Sequence, residues 1–132
     1  MRREVGLWID LHKTVIVTVI DEHEETREIH SNVNKHVKPV VMKSKEEKDI
    51  LQVIDNDDKK QIEGHLSGYY DGVVSMLRNA DLIWIFGPGE AKTELKKHLD
   101  RVDLGGRIVS VEAVNKMTNR QIVAKVRQHY MQ

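Results

Sequence analysis

"DLIWIFGPGEAKTELKKHL", Asp81 to Leu99, changes character twice within a short span. Leu82 to Phe86 is an unbroken apolar run of strand length, the pattern of a parallel strand buried on both faces. Gly87-Pro88-Gly89 ends it, because glycine and proline punctuate regular structure. Ala91, Leu95 and Leu99, with Val102 beyond, then recur at helical spacing. A strand that feeds a helix needs a second strand to cross to. "RIVSVEAV" (Arg107 to Val114) supplies it. The stretch predicts a parallel pair joined by a helix, and with it an α/β protein.

Upstream, "EVGLWID" (Glu4 to Asp10) and "TVIVTVI" (Thr14 to Ile20) are rich in strand formers. Only Leu11-His12-Lys13 separates them, which predicts a hairpin. "DEHEE" reads as a polar turn and "TREIHSNV" (Thr26 to Val33) as a third, more exposed strand, so the chain opens as an antiparallel meander. Residues 34–60 show no sustained period and read as one long loop. Ile62, Leu66, Tyr69, Tyr70, Val73, Val74 and Leu77 then mark one apolar helical face. Gly64, Gly68 and Gly72 recur in that helix, weakening it, with close packing of this face on the sheet as their expected reason. Thr118 and Gln121 form a capping-box pattern that opens a last helix, with Ile122, Val126 and Tyr130 on one side. The order is βββαβαβα: a mixed five-stranded sheet with helices on both faces. That is the order of a ribonuclease H-like fold.

Composition narrows the function classes. At 132 residues the chain is one domain's worth (1–132), long enough to bury roughly two-thirds of its unfolded surface. Twenty-one basic residues balance twenty-one acidic ones, so any charged surface is local. With no cysteine there is no disulfide, thiolate metal site or cysteine nucleophile. The chain starts straight into a strand pattern, and no window approaches the roughly 18 apolar residues of a membrane span. A cytoplasmic protein with no membrane partner is expected.

Four features could carry chemistry. The turn Gly87-Pro88-Gly89-Glu90 opens a helix, where free N–H groups favour an anion. It lacks the spacing of either glycine-rich phosphate motif, and Glu90 stands where the phosphate would come. Its expected role is structural, with the Glu90 carboxylate satisfying the helix end. The element order invites a metal-dependent nuclease with Asp10 as first ligand. The fourth strand ends without an acid, and the first helix offers only Glu63 and Asp71. The seven histidines are scattered at no ligand spacing and read as surface residues, so no metal or other cofactor is expected. The long loop is the richest feature. Its first part carries Lys35, Lys38, Lys43, Lys45 and Lys48 against Glu46 and Glu47, while Asp49 to Glu63 is net acidic. A basic tip of this kind can neutralise phosphates, so these five lysines are the candidate RNA contacts.

"GLWIDLHKTVIVTV", "HLSGYYDGVV", "IFGPGEAKTELKKHL" and "NKMTNRQIVAKVRQHY" together resemble one family. It comprises the bacterial and archaeal translational-machinery proteins similar to the middle domain of archaeal and eukaryotic peptide-chain release factors and of Pelota. The resemblance covers nearly the whole chain outside the long loop. It rests on Trp8 and Asp10, on Gly87, Pro88, Gly89, Glu90 and Lys92, and on Thr118 and Gln121, and it implies a ribonuclease H-like sheet. In release factors the loop after the third strand carries a Gly-Gly-Gln tip for peptide release. Residues 34–60 contain no glycine, and Gly105-Gly106-Arg107 lies after the second helix. The resemblance therefore implies a non-enzymatic, ribosome- or tRNA/rRNA-binding protein, the middle domain standing alone without codon-reading or GTPase-recruiting neighbours. A nuclease using Asp10 is the alternative. Self-association as a homo-oligomer through the third strand's open edge is another.

Overall fold

The computed structural model describes residues 2–32 and 56–131, with backbone alone at 56–60. Its elements are β1 (Glu4–Ile9), β2 (Lys13–Ile20), β3 (His23–His30), α1 (Asn56–Leu77), β4 (Leu82–Gly87), α2 (Ala91–Arg101), β5 (Ile108–Ala113) and α3 (Asn119–Tyr130). A 3-10 turn, Gly105–Arg107, leads into β5. The sheet runs β3-β2-β1-β4-β5. The β1–β2 and β2–β3 pairs are antiparallel, and β1–β4 and β4–β5 are parallel. This is the expected mixed, ribonuclease H-like sheet.

Strand alternation divides the core into two layers. On one face, Val5, Leu7 and Ile9 of β1 and Ile83 and Ile85 of β4 pack under α1 and α2. On the other, Trp8, Val15, Val17, Trp84 and Phe86 pack under Ile122 and Val126 of α3. Gly6 lies directly beneath α3: a Cβ there would stand 2.5 Å from Val126 Cγ2. The missing side chain lets the helix settle on the central strand.

Several boundaries differ from the sequence reading. The second turn is only Asp21-Glu22, both at positive φ (48° and 69°), the requirement of a two-residue type I′ hairpin. β3 accordingly begins at His23 and pairs with all of β2, from Ile20↔His23 to Lys13↔His30. Its polar sequence reflects an exposed edge, not a longer turn. α1 begins at Asn56, inside the expected 34–60 loop. Asn and Asp favour helix starts, so the acidic half of that stretch is partly the helix's first turn. The remainder of the expected 34–60 loop falls outside the described residues. Gly64, Gly68 and Gly72 do not pack on the sheet: they are exposed, and a Cβ on each would meet nothing within 4 Å. Val102 is likewise off the buried face of α2, at its C-cap.

Candidate functional site

The carboxyl end of β1 builds its own turn. Asp10 Oδ1 accepts from the backbone N–H groups of His12 and Lys13, each at 2.8 Å, and the Asp10 N–H donates to the Lys13 carbonyl at 3.0 Å. A short carboxylate that gathers the next N–H groups is the usual reason for aspartate at such a bend. α1 is tied to the same turn. Tyr69 OH lies 2.6 Å from Thr14 Oγ1 and donates to the Asp10 carbonyl at 3.1 Å. Burial raises the Tyr69 pKa, so the phenol stays protonated as a donor.

α3 starts beside this turn with the expected capping box. Thr118 Oγ1 accepts from the Gln121 N–H (3.2 Å), and Gln121 Oε1 accepts from the Thr118 N–H (2.9 Å). Between the β1 turn and the start of α3 lies a cavity of about 320 Å³. Trp8, Asp10, Thr118 and Gln121 line it, with Lys13, Lys116 and Met117. Four positions singled out from the sequence thus meet at one place. Lys13 Nζ sits 5.8 Å from the centre of the Trp8 ring and donates to Asn119 Oδ1 at 3.1 Å. Glu28 of β3 ties down the same groups: its carboxylate takes Asn119 Nδ2 (3.2 Å) and faces Lys13 (3.7 Å) and His30 (3.4 Å). The hydrogen bond from Asn119 leads the causes that hold the Glu28 pKa below 4.5.

The glycine-rich turn lies at the same end of the sheet but outside the cavity. Gly87 has φ 156°, and a Cβ there would stand 2.2 Å from the Ile9 carbonyl oxygen. Gly89 takes the left-handed conformation, φ 65°. Pro88 links the two. Glu90 is the N-cap of α2, but the expected side-chain cap is not made. Its carbonyl accepts from the Thr93 and Glu94 N–H groups (both 3.0 Å) while its carboxylate makes no cap hydrogen bond. Glu90 has helical φ and ψ (−96°, −10°), unlike the extended N-cap Thr118. Lys92 closes the turn instead, its Nζ donating to the Gly89 carbonyl.

The five candidate RNA lysines, Lys35, Lys38, Lys43, Lys45 and Lys48, lie outside the described residues. Among the described residues no group of three or more metal-ligating side chains converges. Of the acids considered for a nuclease, Asp10 holds the β1–β2 turn and Asp71 pairs with His98 (2.8 Å). His98 is not a surface histidine: it is 8% exposed, held between Asp71 and the Tyr70 ring. His65 bonds the Ser31 carbonyl. Sequence reasoning did not single out Lys13 or Lys116 at the cavity. The one signal available was that each lies within three positions of a singled-out residue, Asp10 or Thr118.

A scan against protein-family models and a search of curated proteins found no match. Solved structures do match. Pelota of Thermoplasma acidophilum superposes with a TM-score of 0.61 at 13% identity over 97% of this chain and 32% of that one. The chain has a Pelota-like fold. Pelota of Archaeoglobus fulgidus agrees, with a TM-score of 0.56 at 16% identity over 98% of this chain and 32% of that one. An archaeal translation termination factor aligns at a TM-score of 0.45 and 15% identity, over 96% of this chain and 34% of that one. The chain therefore spans about a third of the length of the Pelota structures it matches. The Pelota-like likeness read from the sequence motifs holds at the level of fold. Among the described residues no helix is long and apolar enough to cross a membrane.

Proposed function

We propose that the chain is a non-enzymatic, translation-associated, cytoplasmic domain that contacts the ribosome or its tRNA or rRNA. The Pelota-like fold along nearly the whole chain is the observation that carries the proposal. The sequence adds its sign: residues 34–60, where the release-factor likeness would put Gly-Gly-Gln, hold no glycine, and five lysines cluster within 34–48. Such a segment can grip phosphates but cannot position water at an ester by the release-factor route.

Phosphate neutralisation makes binding fall with salt, with a log–log slope of about −0.7 to −0.9 per contact. Replacing Lys35, Lys38 and Lys43 together by Ala flattens the slope for tRNA by roughly two to three such contacts. The melting temperature is expected to stay near wild type, because lysine side chains seldom belong to a buried core. Replacing Asp55, Asp57 and Asp58 together by Asn tightens binding if the acidic half masks the basic one. Identical tRNA and ribosome binding by wild type and both variants would refute the loop as the contact. Peptidyl-tRNA hydrolysis, or RNA cleavage lost with Asp10→Asn, would refute the non-enzymatic reading.

A further inference from the structure

We infer that the cavity between the β1 turn and the start of α3 is a binding site for a phosphate group. This extends the RNA-contact reading to a second place, but its first test does not depend on that reading. The inference rests on which hydrogen-bonding capacity around the cavity is used and which is left. Acceptors are largely used. Asp10 Oδ1 takes two backbone N–H groups, and Thr118 Oγ1 and Gln121 Oε1 each take one. Donors are left. The capping box engages the acceptor ends of Thr118 and Gln121, leaving the hydroxyl hydrogen and the amide NH₂ to donate elsewhere.

The deepest donor is the most telling. Both indole Nε1–H groups, of Trp8 and Trp84, are buried with no hydrogen-bond partner among the described residues, and Trp8, 1% exposed, is the one whose residue lines this cavity. A buried N–H left unpaired costs on the order of 1–3 kcal/mol, and beside Trp8 there is a cavity in which an acceptor could be placed. Two lysines line the same space. Lys13 is shared with Asn119 and Glu28, while Lys116 has no ion-pair partner among the described residues. The first turn of α3 adds the partial positive charge of a helix N-terminus. A donor-rich cavity with two lysines, beside one carboxylate whose Oδ1 is already held by backbone N–H groups, suits a compact oxyanion with several acceptor oxygens. Phosphate is that ligand, carried on an RNA backbone or on a small molecule.

The test uses the whole chain and the two tryptophans it contains. In a ¹⁵N–¹H spectrum each indole gives one cross-peak, assigned with Trp84→Phe. Inorganic phosphate is titrated against sodium chloride of equal ionic strength, then a short single-stranded oligoribonucleotide. The Trp8 peak is expected to move saturably with phosphate and not with chloride, while the Trp84 peak stays. In the double variant Lys13→Gln with Lys116→Gln the affinity falls about tenfold or more, the loss expected for charge-assisted contacts. A Trp8 response to the oligonucleotide as well supports an RNA source. A response to inorganic phosphate alone supports a small phosphorylated ligand and keeps the site while the RNA reading fails. A stationary Trp8 peak, or one that moves equally with chloride, overturns the inference. RNA binding that leaves the Trp8 peak in place also overturns it, and leaves the ribosome-contact proposal standing.

Discussion

Gly87 is the residue on which the end of the sheet depends. A methyl group there would press on the backbone of β1, where no side-chain rotation can relieve it. Gly87→Ala is therefore expected to cost about 3 kcal/mol or more, read as a lowered urea midpoint with an unchanged slope. Asp103 is the opposite case. It follows α2 at φ 62°, where the Leu104 N–H donates to Leu99 (3.0 Å) and the Asp103 N–H to Asp100 (3.3 Å), the two bonds of a Schellman motif. Glycine is the usual residue at that position and Asp103 is exposed. Asp103→Gly should stabilise by about 0.5–1 kcal/mol, the left-handed strain relieved less the added chain entropy. A lower melting temperature would show that the aspartate makes a contact beyond its backbone conformation.

At the level of elements, α1 has a buried face and a bare one. Tyr69, Tyr70, Val73, Val74 and Leu77 are buried, while Gly64, Gly68 and Gly72 look onto open space. Gly68→Ala should gain about 1 kcal/mol from helix propensity alone, because no neighbour stands where its methyl would go. No gain in a melting experiment would mean that something covers that face in solution. Thr118→Ala removes one half of the α3 cap and should cost about 1 kcal/mol. The elements themselves were legible because local pattern and burial agree. Val5, Leu7 and Ile9 alternate with Gly6 and Trp8, and both sets are buried because β1 has helices on each side. β3 was legible only in part. Its charge fits an edge as well as a turn, and left-handed Asp21 and Glu22 carry no glycine to announce a tight hairpin. The cavity was less legible still. Lys13 and Lys116 are far apart in the chain, and only the placement of α3 against β1 and β2 brings them together. Spacing in sequence holds no record of that meeting. Glu90 misled because an acid in the first turn is normally a cap, and here its backbone is already helical.

For the whole molecule, the three tyrosines of the chain act together. Burial lifts Tyr70 and Tyr130 to about 12 and raises Tyr69 as well. Their folded pKa values exceed the unfolded value of 10.0, so the stability they contribute is complete below pH 10 and declines as pH rises toward 12. Phenolate absorbance should therefore appear together with loss of helical circular dichroism. Free titration near pH 10 in a folded protein would contradict the burial of these rings. Glu28 sets the opposite limit. Its lowered pKa contributes stability above 4.5 that is lost as pH falls through the folded value, and Glu28→Gln should remove that part of the acid sensitivity. The sheet edges limit association through strands. β3 presents charged side chains, and at β5 the register shift beside Ile83 leaves Val109 as the extra residue, 48% exposed. Charges and bulges are how open edges are kept from pairing. The contact proposed above uses the basic segment and the donor-rich end of the sheet instead. Co-sedimentation of the purified chain with ribosomes tests that most directly, at about 50 mM and about 200 mM salt. The chain is expected in the ribosomal fractions at the lower salt and at the top of the gradient at the higher, with the Lys35, Lys38 and Lys43 triple variant at the top in both. Wild-type protein at the top of the gradient at both salt concentrations would contradict the proposed ribosomal contact.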